Sequence, residues 1–328
     1  MRDFACPRCG QQLAFENTVC LGCGSDIGFS LEARALLPVD PEKFVMCANQ
    51  FVAQCNWLVP ADTAPSPCES CRLTRARPAT LEGKWLTAFG EAEAAKRRLV
   101  VELTELGLPL VDRATDPELG LAFDLLSSAE GPVTTGHEHG VITLDLAEGD
   151  DLHRERLRVE MAEPYRTLLG HFRHEIGHYY QVLLLTDGET VRFHDLFGDP
   201  FADYQEALDR HYAEGAPPGW ENTHVSSYAT MHPVEDWAET FAHYLHIRDT
   251  LDTAAAFGFA PAGATLDRLP AGNAAFDRII ELWLPLVWAL NMMNRAMGHR
   301  DPYPFVLADP VLDKMRLIHE LCAAAARG

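Results

Sequence analysis

The segment His174-Glu175-Ile176-Gly177-His178 has residue types and a spacing that suit zinc-dependent hydrolysis. Residues four apart lie on one face of a helix, so the imidazoles of His174 and His178 can reach a single zinc ion. Glu175 can then take a proton from a zinc-bound water molecule. Two histidines four apart also occur in ordinary core helices, but the order His-Glu-x-x-His on an apolar helix is much more specific. We therefore expect His174 and His178 to bind a catalytic zinc, with Glu175 as the general base.

A third ligand is expected from the segment His232–Leu245, because tetrahedral catalytic zinc takes three protein ligands and keeps one position for water. Glu235 and Glu239 are four apart, so their carboxylates share a helical face. One can bind the ion while the other accepts the N–H of a ligand histidine and fixes its tautomer. Two alternatives stay open. The segment can be an ordinary amphipathic helix with an acidic stripe, or His171 can be the third ligand.

Eight of the nine cysteines fall within the first 71 residues, and their Cys-x-x-Cys pairs indicate metal binding rather than disulfides. The first cluster comprises Cys6, Cys9, Cys20 and Cys23, and the second comprises Cys47, Cys55, Cys68 and Cys71. In the first cluster, two pairs place four thiolates around one tetrahedral structural zinc. The second cluster contains one such pair, so a second zinc site and a set of buried thiols are both open. We expect one or two structural zinc ions that stabilise the module, and docking of a protein partner through the ribbon is the alternative role.

The bulk composition of the 328 residues is that of a globular protein with an excess of acidic groups, and the net charge is −21. Of the 27 basic and 48 acidic residues, positions 1–78 hold 7 and 8, which leaves 20 and 40 downstream. An acidic body repels phosphate backbones and anionic membranes. No apolar run approaches the roughly 20 residues that span a bilayer, and the N-terminus lacks the apolar core of a secretory signal. We therefore expect a cytoplasmic protein that binds neither nucleic acid nor a membrane.

The distribution of cysteines, apolar residues and helix breakers predicts two domains, one for the cysteine clusters and one for the His-Glu-x-x-His segment. Residues 1–78 are the zinc-ribbon module, and residues 79–328 are an α+β domain that is mostly helical with a small sheet. A long helix over Leu81–Leu106 is predicted to open the second domain. Strands are predicted over Leu119–Leu126 and Gly140–Leu146.

From Pro164 onward the pattern is mainly helical, and Pro164 suits the first turn of the helix that carries His174. Apolar spacing predicts core helices over Ile279–Met297 and Val311–Cys322. Cys322, outside both clusters, is expected to be a buried thiol.

Several other polar residues could belong to the catalytic site, but the sequence does not determine their roles. Asp195 and Asp199 are expected in a loop, where they could line the cleft or cap a helix that begins near Asp199. His243 is expected to pack or hydrogen-bond away from the zinc.

The His-Glu-x-x-His motif followed by Glu235 and Glu239 resembles the gluzincin metallopeptidases, in which two histidines and a glutamate from a second helix hold zinc. The segment Tyr228–Phe241 resembles the corresponding part of the catalytic domain of anthrax lethal factor. There, a tyrosine seven residues before the ligand glutamate helps to stabilise the oxyanion. The resemblance implies a zincin-like fold in which Glu235 is the third ligand, Glu239 supports a ligand histidine, and Tyr228 polarises the scissile carbonyl.

Nearly the whole chain resembles a bacterial family of zinc-binding metallopeptidases with an N-terminal zinc ribbon. The resemblance is carried by Cys55–Pro60, Ser70–Arg75 and Phe193–Asp199. The gap between His178 and Glu235 is 235 − 178 = 57 residues, longer than in the shorter gluzincins, so the intervening chain must fold aside for the two helices to meet.

The sequence thus favours a zinc metallopeptidase acting on a peptide or protein, with Val141–Leu144 expected to be the sheet edge that holds substrate as an added strand. One alternative is a zinc-stabilised binding protein with little activity. Another is a metal-dependent amidase acting on a non-peptide substrate, because the motif specifies hydrolytic chemistry but not the bond.

Overall fold

The computed structural model describes residues 2–149, 167–259 and 272–327. The chain divides into two compact units, one formed by Met1–Glu102 with Val111–Asp150 and the other by Leu103–Leu110 with Asp151–Gly328. The domain boundary predicted after residue 78 falls inside the first unit and stays a prediction. Over the described ranges the protein is mostly helical with a small sheet, in agreement with the α+β prediction. No helix in those ranges is both long enough and apolar enough to cross a membrane.

The N-terminal part of the first unit contains three short antiparallel hairpins. They pair β1 (Phe4–Ala5) with β2 (Gln12–Leu13), β3 (Ile27–Ser30) with β4 (Ala35–Pro38), and β5 (Phe44–Met46) with β6 (Leu58–Pro60). Gly10 and Gly24 each follow a Cys-x-x-Cys pair and have φ angles of 75° and 69°, a conformation that favours glycine. Their N–H groups donate to the carbonyls of Cys6 and Cys20, which closes the turns that present the thiols.

An aromatic cluster forms the small core between these hairpins. Phe29 is fully buried, and its ring centroid lies 4.8 Å from that of Phe15 and 5.3 Å from that of Trp57. Strands of two to four residues bury little apolar surface by themselves, so a module of this size needs a further source of stability.

A four-stranded sheet completes the first unit, after the short helix α1 (Glu69–Arg72). Its strands are β7 (Thr74–Ala76), β8 (Ala122–Leu126), β9 (Gly136–Glu138) and β10 (Val141–Asp145), in the spatial order β7-β8-β10-β9. Strand β8 is parallel to both β7 and β10, whereas β9 is antiparallel to β10.

The prediction that Val141–Leu144 is a sheet edge is wrong, because β9 pairs along the outer side of β10. Gly140 makes the reversal between the two strands with a φ of 79°. A Cβ atom at this position would overlap the carbonyl groups of Leu119 and Gly120. The hairpin that covers β10 therefore depends on a residue without a side chain.

The long helix α2 (Lys84–Glu105) confirms the helix predicted over Leu81–Leu106. The chain leaves the helix through Gly107, whose φ is 71°. Within the first unit, Lys96 Nζ lies 2.8 Å from Glu93 Oε1, and both side chains are almost fully buried. Their pairing satisfies charges that burial would otherwise penalise.

The second unit is helical. Its described helices are α3 (Leu168–Leu184), α4 (Asp187–Phe197), α5 (Tyr204–Glu214), α6 (Pro233–Ala256), α7 (Asn273–Ala296) and α8 (Asp309–Ala325). Helices α7 and α8 confirm the two predicted C-terminal core helices, and Cys322 is buried as expected. Helix α3 begins after Thr167, whose side chain accepts the N–H of Gly170. The start predicted near Pro164 lies outside the described residues.

A shared core holds α6 against α7 and α8. Its fully buried members include Ile247 and Leu251 on α6, Phe276 and Trp283 on α7, and Met315 on α8. The middle and C-terminal parts of α6 are therefore anchored independently of the groups near its N-terminus.

Two expectations about the segment between α3 and α6 are wrong. Asp195 lies within helix α4 rather than in a loop. The residue that caps the next helix is Asp203, not Asp199, and its side chain accepts an N–H from the first turn of α5. Asp199 instead accepts the N–H of Phe201 in the connecting turn. The helix ends where Gly198 takes a φ of 103°, a boundary that apolar periodicity does not reveal.

Candidate metal centre

Helices α3 and α6 form the centre, and Gly177 lets them approach closely. A Cβ atom on Gly177 would lie 3.0 Å from the Cα of Ala238 and 3.1 Å from its carbonyl oxygen. The indole N–H of Trp237 donates to the Gly177 carbonyl oxygen over 2.8 Å. This contact brings the His174–His178 face of α3 to the first turns of α6.

Three candidate ligand atoms converge between the helices. Oε2 of Glu235 lies 3.0 Å from Nε2 of His174 and 3.4 Å from Nε2 of His178, and the two Nε2 atoms are 3.2 Å apart. Bonds of about 2.0–2.1 Å to a tetrahedral zinc place the ligand atoms roughly 3.3 Å from one another. The spacing and the nitrogen and oxygen chemistry of this set therefore fit a zinc ion with a fourth position available.

Glu239 is the second carboxylate at the centre, and it contacts the other ring nitrogen of His174. Its Oε1 lies 2.7 Å from Nδ1 of His174, so an N–H at Nδ1 can donate to this carboxylate while Nε2 faces Glu235. Ser226 donates its hydroxyl to Oε2 of Glu239 over 2.6 Å and accepts the N–H of Ala229. The two carboxylates therefore differ in position: Glu235 lies among the candidate ligand atoms, whereas Glu239 contacts Nδ1 of a candidate ligand histidine.

The two oxygen atoms of the Glu175 carboxylate have different surroundings. Oε1 lies 3.1 Å from Nε2 of His171, whereas Oε2 is buried and has no hydrogen-bond partner among the described residues. A buried acceptor without a partner is costly, and such atoms concentrate where a ligand or a water molecule binds. His171 therefore contacts the candidate base and does not belong to the converging set of ligand atoms.

Tyr228 lies beside the candidate ligands, in a single 3-10 turn shortly before α6. Its ring centroid is 6.0 Å from that of His174 and 5.9 Å from that of His211 on α5. Burial and the negative charge of Glu235 raise the pKa of the Tyr228 phenol, so its hydroxyl stays protonated and can donate.

The electrostatics of the centre favour a cation. Burial opposes a charge on His174, but its hydrogen bonds to Glu235 and Glu239 outweigh burial and hold the pKa of His174 well above its ordinary value. Burial would also raise the pKa of Glu235, yet the neighbouring histidines hold it well below its ordinary value. The same balance, with the hydrogen bond from His171, lowers the pKa of Glu175. A site with this many ionised carboxylates can hold a dication in place of the proton.

Tyr204 and Ser226 contact this centre but were not among the residues predicted from the sequence. The Tyr204 hydroxyl donates to Oε1 of Glu235 over 2.9 Å. Neither residue has a motif or a periodic spacing that links it to the ligands. By contrast, His243 does not reach the candidate ligand set. Its Nδ1 lies 2.8 Å from the Tyr303 hydroxyl, and burial lowers the pKa of His243 to about 4.

Both cysteine clusters also converge. The Sγ–Sγ distances are 3.8 Å for Cys6–Cys23, 3.5 Å for Cys9–Cys20 and 3.7 Å for Cys55–Cys68. Zinc–sulfur bonds of about 2.3 Å around a tetrahedral ion place the sulfur atoms roughly 3.8 Å apart, so the spacing fits one zinc in each cluster. All four cysteines of the second cluster are buried, whereas Cys9 of the first is exposed.

Comparison with known proteins adds family information. The profile of a family described as "putative zinc-binding metallo-peptidase" matches residues 85–321, and a zinc-ribbon profile matches residues 3–82. Uncharacterised proteins of Mycobacterium tuberculosis and Mycobacterium bovis are each 64% identical to the chain over 322 residues, which cover 97% of this chain and 94% of the relative. No solved structure matches the chain.

Proposed function

The chain belongs to this family of zinc-binding metallopeptidases, and from that membership we propose that it hydrolyses peptide bonds in a peptide or protein substrate. The proposal assigns the catalytic zinc to His174, His178 and Glu235. The observation that carries it is the convergence of two imidazole nitrogens and one carboxylate oxygen at 3.0–3.4 Å. Within this arrangement the two histidines come from α3 and the glutamate from α6, which supports a gluzincin-like centre.

The zinc ribbon supports a separate structural role for metal in the first unit. We assign one structural zinc ion to Cys6, Cys9, Cys20 and Cys23, and another to Cys47, Cys55, Cys68 and Cys71. Four thiolates close the coordination sphere of a tetrahedral ion, so neither cluster leaves a position for substrate.

The side chains around the catalytic site have distinct tasks. A zinc ion in this position supplies Lewis-acid chemistry, because it polarises a carbonyl oxygen and lowers the pKa of a water molecule. Glu175 accepts a proton from the attacking water through Oε2, the oxygen that His171 does not engage, and later gives that proton to the leaving amine.

Two further residues complete the arrangement. The Tyr228 hydroxyl, kept protonated by its raised pKa, donates a hydrogen bond to the oxygen on which negative charge develops. Glu239 accepts the N–H at Nδ1 of His174 and so keeps Nε2 unprotonated for the ion.

The test compares the wild type with Glu175→Gln for zinc content, by elemental analysis, and for cleavage of a diverse peptide library. The variant keeps the size of the side chain but cannot accept the proton, so we expect turnover to fall by about 10²-fold or more with the same zinc content. Glu221→Gln is the matched control, because Glu221 is exposed and lies outside the centre.

The outcomes separate the parts of the proposal. Cleavage that disappears in Glu175→Gln and after mild chelation supports a zinc peptidase. Full activity in Glu175→Gln would show that Glu175 is not the base. A zinc-loaded wild type that cleaves no peptide would contradict the peptide substrate and direct the search to other amides.

A further inference from the structure

The two oxygen atoms of the Glu235 carboxylate have different surroundings. Oε2 faces Nε2 of both His174 and His178, at 3.0 and 3.4 Å. Oε1 instead accepts the hydroxyl hydrogen of Tyr204 over 2.9 Å. The Glu235 side chain is buried, so this hydroxyl replaces a water molecule that the second oxygen would otherwise bind.

Two features position Tyr204: the cap of its helix and the packing of its ring. Asp203 caps α5 immediately before it by accepting a backbone N–H. The Tyr204 ring packs against His232, with centroids 5.3 Å apart. His232 in turn joins the two helix starts: Nδ1 accepts the N–H of Val234 at the beginning of α6, and Nε2–H donates to the carbonyl of Ala202. The Tyr204 hydroxyl is thus positioned relative to Glu235 by contacts that join the starts of α5 and α6.

The contact with Tyr204 bears on whether the Glu235 carboxylate binds the ion through one oxygen or through both. A glutamate that binds through both oxygens occupies two positions, whereas a catalytic zinc with three protein ligands must leave one for water. We propose that Tyr204 holds Glu235 in ligation through Oε2 alone and thereby keeps that position open. This inference rests on the proposed zinc centre, and Tyr204 acts in it as a positioning residue.

The Tyr204→Phe variant tests the proposal, because it removes only the hydroxyl and leaves the ring that packs on His232. The labile ion of the full-length protein is exchanged for Co²⁺ under mild chelation while the cysteine clusters keep their zinc. A content of one cobalt per chain and the absence of thiolate-to-cobalt absorption verify the exchange. Tetrahedral Co²⁺ has stronger visible bands than five-coordinate Co²⁺, so the spectrum reports the ligation of Glu235 without any turnover.

In Tyr204→Phe we expect weaker and shifted visible bands, together with a fall in kcat of about 10-fold to 100-fold and little change in KM. Tyr212→Phe is the matched control, since Tyr212 is an exposed tyrosine on the same helix, and its cobalt spectrum should equal that of the wild type. An unchanged cobalt spectrum in Tyr204→Phe would overturn the proposal whatever the activity. A wild type without a labile ion would overturn both the zinc centre and the role of Tyr204, whereas a wild type that binds cobalt but cleaves no peptide would contradict only the substrate.

Discussion

The cysteine clusters and the histidine–glutamate centre both bring metal-binding atoms together, but they differ in the number of these atoms and in the contacts around them. The second cysteine cluster contains four buried sulfurs, and Cys47 Sγ also accepts the backbone N–H groups of Asn49 and Cys68. The histidine–glutamate centre contains three candidate ligand atoms from two helices, and other side chains contact His174 and Glu235 through their remaining polar atoms.

The difference supports the two roles proposed for metal in this chain. Four thiolates satisfy a tetrahedral ion and connect short strands that could not hold together alone. Three ligands leave a position for chemistry, and the partners of those ligands then have to fix their orientation. The carboxylate of Glu175, whose Oε2 has no partner among the described residues, directly follows His174 in the second arrangement.

The largest effect is expected from Cys68→Ser, which tests the structural half of this comparison. Structural zinc in small modules contributes about 10–16 kcal/mol of binding free energy that is also folding free energy. We expect one zinc per chain to be lost and the first unit to become sensitive to proteolysis. Elemental analysis and limited proteolysis measure both changes.

Cys322→Ala is the control for Cys68→Ser, because Cys322 is also buried but lies outside the clusters. It should keep the full zinc content. A Cys68→Ser protein that retains all its zinc would show that the second cluster does not hold a structural zinc ion. The comparison would also fail if mild chelation released the cysteine-bound ions as readily as the ion at the histidine–glutamate centre.

The next effect in size is expected from Glu239→Gln, which tests the partner of a ligand. The amide carries no charge and accepts the N–H at Nδ1 of His174 more weakly than a carboxylate does. We expect zinc affinity to fall by about 10-fold to 100-fold, measured by competition with a chelator. Glu221→Gln should leave the affinity unchanged, and an equal affinity in Glu239→Gln would show that this contact does not support the ion.

The residues at this centre whose proximity follows from the sequence are those whose relation is local. His174 and His178 share one helix, as do Glu235 and Glu239, so their common faces follow from the period of the helix. The residues alone do not say which carboxylate joins the ligand atoms, because both are on the same face. That choice depends on the position of α3 against α6, and the assignment of Glu235 as the ligand is part of the proposal.

The contacts missed by sequence reasoning join distant positions. Tyr204 is 31 residues from Glu235, and Ser226 is 13 residues from Glu239. No periodic pattern connects either pair. The fold shows the same limit: α2, α7 and α8 follow from apolar spacing, whereas the three-residue strand β9 depends on the turn at Gly140. A short strand that depends on the backbone conformation of a single turn residue is difficult to predict from the pattern of apolar residues.

A smaller effect is expected from Gly177→Ala, which tests the helix contact that assembles the centre. The added methyl group would meet backbone atoms of Ala238, which cannot move aside as a side chain can. We expect unfolding to become easier by about 1–3 kcal/mol, measured by denaturant titration. Gly188→Ala is the control in α4, where a Cβ meets nothing closer than 3.8 Å, and it should be neutral or stabilising by up to about 1 kcal/mol. Equal effects in the two variants would contradict the close approach.

The smallest effect is expected from His171→Phe, which removes the hydrogen bond to Oε1 of Glu175 but keeps a ring. A hydrogen bond to a charged group contributes about 1.5 kcal/mol, so we expect kcat to fall about tenfold with unchanged zinc content. Because this bond lowers the pKa of Glu175, its loss should raise that pKa and move the acid limb of the kcat/KM profile to higher pH. His171→Gln, which can still donate from a similar distance, should recover most of the activity. A Phe variant that loses zinc would instead place His171 among the ligands, and one with wild-type kcat would show that the base needs no partner.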